Sequence, residues 1–273
     1  MRFPALILAP VLALGLTAAH AAGLPDSGQD KCYDGSNVLV ACTNANTADG
    51  ASFPRQDGRF GRDAKAAAST LAKIGGGAAG FDYSKIANNG SDLGAGVGLA
   101  LGTSPTAWAC TRDNITGLAW EVKVNDATHL RHRNWTYTWY SSDGGTNAGY
   151  AGTPSGTSNC KAVGRCDTEK FVADVNASAL CGYNDWRMPT QRELGTLVHA
   201  GSTQDPAVDS TYFPNTADTP GSIESVFRSV WSGSSYAVDR TYAWIVYFFD
   251  GNTTFTDLKS SANYVRLVRG GRF

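Results

Sequence analysis

Beyond its amino-terminal segment, the chain has no apolar run approaching the ~20 residues that a membrane-spanning helix needs. It also has no surplus of either charge. In 273 residues, 23 Lys and Arg stand against 24 Asp and Glu, for a net charge of −1. Such a balance builds no field that would gather nucleic acid or an anionic membrane surface. Histidine is scarce, with four in the chain. No histidine sits near the cysteines in a zinc-like spacing, and there is no Cys-x-x-Cys, so neither a metal centre nor any other cofactor is indicated. No Gly-x-Ser-x-Gly elbow presents a serine nucleophile. The Gly-rich stretches lack the Gly-Lys-Ser/Thr ending of a phosphate loop. Catalysis therefore finds no positive support in the sequence.

What is present begins with an address. Met1-Arg2-Phe3 precedes an apolar stretch from Ala5 to Leu16, followed by the small-x-small tripeptide Ala19-His20-Ala21. Residues 1–21 read as a secretory signal peptide, with an uncleaved anchor as the alternative. Cleavage leaves 273 − 21 = 252 residues for an exported protein of the periplasm, outer surface or medium, no longer integral to a membrane. All six cysteines fall in that part, and an even number in an oxidising compartment implies disulfides. Local loop closure pairs Cys32 with Cys42 and Cys160 with Cys166, which leaves Cys110 with Cys181 as a long-range staple.

Residues 22–107 read as an N-terminal lead followed by a Gly/Ala-rich connection. Lys31–Asp34 and Val38–Cys42 form a small hairpin, and Asp63 is placed to cap a short helix from Ala64 to about Lys73. Gly75 to Gly102 reads as a flexible surface connection. From Trp108 the pattern becomes regular. Asp113 to Gly117 is a turn between strands, and Leu118, Trp120 and Val122 alternate onto one face. The aromatic run Trp135, Tyr137, Trp139 follows the basic cluster His129-Leu130-Arg131-His132-Arg133. It reads either as a ligand site for an anionic sugar or phosphate or as a half-buried strand. Asp167 or Thr168 caps a helix carrying Phe171, Val172, Val175 and Leu180. The last third is rich in strands: Val230–Tyr236, Tyr242–Phe249, Thr253–Leu258 and Tyr264–Arg269, with Asp250-Gly251 as a hairpin turn.

Between these halves lies Asp185-Trp186-Arg187-Met188-Pro189-Thr190-Gln191-Arg192-Glu193-Leu194. Pro189 holds Met188 extended, Thr190 is an N-cap, and Glu193 completes a Thr-x-x-Glu capping box. Leu194, Leu197 and Val198 form one apolar stripe, Gly201 is placed to stop the helix, and His199 lies near its end, where the dipole favours a His. Trp186 and Arg187 read as a core anchor with a hydrogen-bonded guanidinium. Helices followed by an antiparallel meander make an α+β plan.

Several of these segments, in order, resemble a bacterial family: Asp113-Asn114-Ile115-Thr116-Gly117-Leu118-Ala119-Trp120-Glu121, Asp185 to Leu194, Pro206-Ala207-Val208-Asp209, Tyr212-Phe213-Pro214, Trp231-Ser232 and Tyr264-Val265-Arg266. The family is typified by the C-terminal domain of the Legionella collagen-like adhesin, and the resemblance covers about Trp108 to Gly271. It implies that residues 108–273 form a C-type lectin-like fold, with two helices flanking a small twisted antiparallel sheet and long loops, stapled by disulfides. In that adhesin the domain is associated with binding sulfated polysaccharides. Formylglycine-generating enzymes share the fold, and Arg187-Met188-Pro189-Thr190 resembles their Arg-Leu-Pro-Thr segment. Their chemistry needs paired cysteines in the C-terminal part, whereas no cysteine follows Cys181. The calcium-binding signatures of true lectins, Glu-Pro-Asn or Gln-Pro-Asp with Trp-Asn-Asp, are also missing.

Two functions remain in view. One is an exported, non-catalytic module that binds a glycan or an envelope protein through Trp135, Tyr137, Trp139, Tyr236, Arg240 and Tyr242, because sugars stack on aromatic faces and Arg pairs with anionic groups. The other is a structural or assembly component of the cell envelope, in which those aromatics are core or interface residues.

Overall fold

A computed structural model describes residues 25–34, 36, 38–42, 56–155, 159–216, 229–253 and 256–270. The expected signal peptide lies outside them. None of the described helices is long and apolar enough to cross a membrane.

Three sheets organise the described residues. Strands β1 (Lys31–Tyr33) and β2 (Leu39–Ala41) form an antiparallel hairpin closed by the Cys32–Cys42 disulfide. The second sheet has the order β10-β5-β4-β3, with β3 at Tyr83–Ala87, β4 at Trp108–Asp113, β5 at Ala119–Glu121 and β10 at Val268–Arg269, all antiparallel. In the third, β6 (Ser229–Ser235) and β7 (Tyr242–Tyr247) are antiparallel, β8 (Thr256–Leu258) pairs with β7, and β9 (Tyr264–Val265) runs parallel to β6. The segment expected as a single strand over Tyr264–Arg269 is therefore two strands in two sheets. Between them Arg266 is buried, and Leu267 exchanges backbone and side-chain bonds with Glu121, so the chain crosses from one sheet to the other at this point.

Strand β3 corrects the reading of Gly75–Gly102 as a flexible connection. All five of its residues are buried, and it forms the edge of the second sheet. The preceding glycines permit close backbone approach: a Cβ on Gly75 would lie 2.0 Å from the Tyr83 carbonyl oxygen, a distance no side chain tolerates. The N-terminal lead also docks on the body of the protein. Ala200 N donates to Ser27 O, and Ala78 N donates to Asp209.

Three α-helices complete the described residues. Helix α1 (Gly61–Ala67) has Phe60 at its N-cap, so Asp63 is not the cap; it is buried in the first turn, where its carboxylate accepts from Gly80 N. The helix ends before Lys73 because Ser69 is left-handed, at φ 56°, and Thr70 N turns back to Lys65 O. Helix α2 (Thr168–Ala177) is capped by Asp167, which accepts from Lys170 N at 2.9 Å, and it buries Phe171 and Val175.

Helix α3 (Gln191–Gly195) carries the complete Thr190/Glu193 capping box. It ends well short of Gly201. Thr196 Oγ1 donates back to Glu193 O, and His199 N leaves the helical ladder for Ala207 O. His199 therefore lies outside the helix and packs against Phe81, and burial lowers its pKa.

The core has two parts. One gathers Trp139, Phe171, Trp186, Trp231 and Leu267, and the other Tyr83, Trp120, Leu194, Phe213 and Phe248. Trp186 reaches the first core with its indole N–H donating to Leu180 O at 3.0 Å. The Cys110–Cys181 disulfide ties β4 to the turn that precedes Trp186, and Cys160–Cys166 closes the approach to α2.

Candidate functional site

A cleft of about 300 Å³ opens between the loop 141–153, the start of α2 and the extended segment that enters α3. Three local structures build it. Asp143 folds the loop by accepting from Gly145 N with its carboxylate and from Thr146 N and Asn147 N with its carbonyl. Lys259 anchors the same loop from beneath. It is fully buried, its Nζ donates to the carbonyls of Asn147 and Tyr150 at 2.9 and 2.8 Å, and burial lowers its pKa to about 8. The third wall is Met188–Thr190, fixed by Pro189 and the capping box.

Apolar surface in the cleft comes from Tyr140, Val172, Met188 and an edge of Trp139. Hydroxyls come from Ser141, Thr146, Thr168 and Thr190. Several are already engaged. Thr168 Oγ1 accepts from Tyr140 N and donates to Tyr140 O, which holds the start of the loop against α2. Ser141 and Thr146 share a hydrogen bond of 3.0 Å.

Three charged side chains also line the cleft: Asp143, Glu169 and Arg187. The guanidinium of Arg187 is committed to a bidentate pair with Glu193, at 2.8 and 2.7 Å, and adds contacts to the carbonyls of Met188 and Gly270. This partnership, together with the Thr190 amide, holds the buried Glu193 carboxyl below its usual range against the cost of burial. Glu169 accepts from Ser142 N and Ser142 Oγ, through one carboxylate oxygen.

The six aromatic and basic candidates divide into two groups. Tyr236, Arg240 and Tyr242 lie together at the β6–β7 turn beside the cleft loop. Tyr236 N donates to Tyr242 O, Ser235 Oγ donates to Thr146 O, and Arg240 is exposed about 3.9 Å from the position of a Cβ on Gly149. Trp135, Tyr137 and Trp139 do not form an exposed stacking platform. Their segment makes isolated bridges rather than a strand, with Tyr137 paired to Asn263. Tyr137 is 1 % exposed and packs on Phe171, so its face is closed to a ligand. Trp139 is 2 % exposed; its indole N–H donates to Ser232 O, and Lys259 Nζ lies 4.0 Å from its ring centroid. Trp135 is half-buried against the core, with its N–H on His129 O. All three are amphipathic side chains whose rings pack against the interior.

The basic cluster before them is likewise drawn inward. Arg131 is buried and donates to the carbonyls of Ala109 and Val122, His132 is buried, and His129 Nδ1 accepts from Arg131 N. Arg131 joins Lys123 and Arg266 around the buried Glu121, and burial lowers the Lys123 pKa to about 8 and the Arg266 pKa to about 10. The three histidines among the described residues, His129, His132 and His199, have pKa values lowered by burial.

Tyr140, Asp143 and Glu169 escaped the sequence reading. Tyr140 and Asp143 lie beside and in a Gly/Ser-rich loop with no periodicity, where only the Asx turn at Asp143 left a local trace, and Glu169 sits in the first turn of α2, where an acidic residue reads as ordinary helix-dipole pairing.

Away from the cleft, Asp26, Asp57 and Asp63 bring carboxylate oxygens within 4.8 Å of one another, a donor set that suits a hard cation. Internal donors already serve it. Asp26 accepts from Arg62 N and Asp63 N, and Ser27 Oγ donates to Asp57 and Asp63. Asp63 has its pKa raised to about 6, chiefly by burial and next by its contact with Asp26. All six cysteines are in disulfides, so the chain offers no thiol.

Sheets, staples and cleft together define a disulfide-stapled α+β module whose loops build an open recess of mixed apolar and polar lining. The family model described as the Lcl C-terminal domain matches residues 109–269, and the chain belongs to that family. That membership suggests a surface-associated, adhesin-like module, and the disulfides suit an exported protein. No match was found among curated proteins or among solved structures.

Proposed function

We propose that this protein is an exported, non-catalytic binding module with a C-type lectin-like architecture, and that it recognises a glycan in the cleft beside Tyr140. The observation that carries this reading is the composition of the recess: a half-buried aromatic face, hydroxyls and carboxylates within about 300 Å³, set in a rigid frame of capping box, buried lysine and disulfide. Saccharides present both apolar ring faces and rows of hydroxyls, and a recess pairing an aromatic with fixed polar groups matches them. Tyr236 and Tyr242, adjoining the loop, extend the same rim.

The test is a glycan array probed with the full chain and with Tyr140→Ala. The expected outcome is saturable binding by the parent and its loss in the variant, with a melting temperature unchanged within a few degrees. Binding that persists in the variant places the ligand elsewhere. The burial of Tyr137 and Trp139 favours the structural reading for those two aromatics, whose removal acts on folding.

A further inference from the structure

Resting on the glycan reading of the cleft, we infer that the saccharide it takes carries no anionic substituents, and that a cationic amino sugar binds more tightly than its neutral counterpart. Hydrogen-bonding capacity in the recess is lopsided. On the acceptor side stand two carboxylates, Asp143 and Glu169. Among the described residues neither forms an ion pair. Glu169 accepts only from Ser142, and Asp143 Oδ1 only from the Gly145 amide within its own turn. Each carboxylate has room for about four hydrogen bonds, so acceptor capacity is left facing the recess.

Among the described residues, positive charge near the cleft is already paired. Arg187, which lines it, is locked on Glu193 in fork-to-fork geometry, and Glu193 itself is buried with 1 % exposure. Lys170, one residue beyond Glu169, is paired with Asp167 and Ser155 Oγ. Lys259 lies on the inner side of Trp139, fully buried, with two of its three protons on main-chain carbonyls. Arg240 is exposed beside Gly149 and does not line the recess.

A sulfate or carboxylate entering here would be desolvated beside two carboxylates with no unpaired cation among the described lining residues to receive it, which costs free energy at any effective dielectric. A hydroxyl donates to the same oxygens at no such cost. An ammonium does so with charge assistance and gains from the half-buried ring of Tyr140. This preference is opposite to the sulfated-polysaccharide binding associated with the domain of the Legionella adhesin. The basic stretch 129–133 does not restore that affinity, because Arg131 and His132 are turned into the protein.

The experiment is calorimetric titration of the full chain with three size-matched probes, namely chitosan, chitin and heparin oligosaccharides, repeated with Glu169→Gln and Asp143→Asn. Both substitutions keep an acceptor oxygen for the loop contacts, and each variant's melting temperature is compared with the parent's. The expected order is chitosan over chitin, with heparin fragments unbound. Either variant should weaken chitosan by roughly tenfold, the loss of one charge-assisted hydrogen bond, and chitin by much less. Heparin binding that Tyr140→Ala abolishes would overturn the charge inference while sustaining the glycan reading. Equal affinity for chitosan and chitin, unaffected by either variant, would overturn it as well. Failure of all three probes to bind would overturn both.

Discussion

Trp139 and Tyr140 are neighbours in sequence with opposite fates, and the difference lies in their polar ends. Trp139 has one N–H, which is satisfied inside the protein by Ser232 O, and its ring is covered by Lys259 and by the close approach of Gly152. Tyr140 has its backbone gripped on both sides by Thr168 and leaves its ring half-buried at the cleft. Trp139→Ala should therefore destabilise by roughly 3–5 kcal/mol, the range for emptying a large core aromatic site. Urea unfolding measures this, and a change below about 1 kcal/mol would mean that Trp139 is not core. The sequence alternation Trp135, Tyr137, Trp139 was legible, but alternation does not say which face is wet. The partners that closed over it, Lys259 and Ser232, lie about a hundred residues downstream, where no local pattern announces them.

At the scale of elements, punctuation was legible and packing was not. The Thr190/Glu193 capping box, the Asp167 cap of α2, the turn at Asp113–Gly117 and the strands of the C-terminal third could all be read from residues, because each is a local arrangement of donors, acceptors and apolar side chains. Strand β3 was not legible. Its flanks are Gly-rich and its five residues include Ser and Lys, yet the sheet edge and the Lys85–Trp108 contact bury them. The division of 264–269 between two sheets also depends on distant partners, Trp231 for β9 and Trp120 for β10. Helix α1 carries a pH prediction. In the folded protein the Asp63 carboxyl has a pKa of about 6 against an ordinary 3.8, so between those values the folded state binds more protons than the unfolded chain. Its contribution to stability is full below about pH 4 and is lost as pH rises through 6. Asp63→Asn should flatten that part of the profile. The check is the difference in unfolding free energy between parent and variant from pH 4 to 7; a parallel pair of profiles would show that the carboxyl is not raised.

For the whole molecule, the organising fact is that segments distant in sequence pack together and are fastened by specific links. Arg187 pairs through its backbone with Val268, Arg266 donates to Glu121 O and Thr216, and Cys110 is joined to Cys181 across 71 residues. The disulfide holds the second sheet to the turn that leads into the cleft wall. Replacing both Cys110 and Cys181 by Ala should cost roughly 2–5 kcal/mol, and more than opening the short Cys160–Cys166 loop, because the constraint on the unfolded chain grows with loop length. Comparing thermal unfolding of the two double variants checks the order. The three disulfide pairs and the α+β plan could be reasoned from the sequence. The cleft could not, since its walls come from residues near 140, 169, 188 and 233 that only the fold brings together.

The most direct measurement is an NMR titration of the isotope-labelled protein with chitin oligosaccharide, following backbone amides. The account predicts shifts concentrated on Tyr140–Thr146, Thr168–Glu169, Met188–Thr190 and Gly233, with the core amides of β4 and β5 unmoved. Shifts confined to other surfaces, or none at saccharide concentrations that saturate weak lectins, would contradict the assignment of this cleft as the binding site.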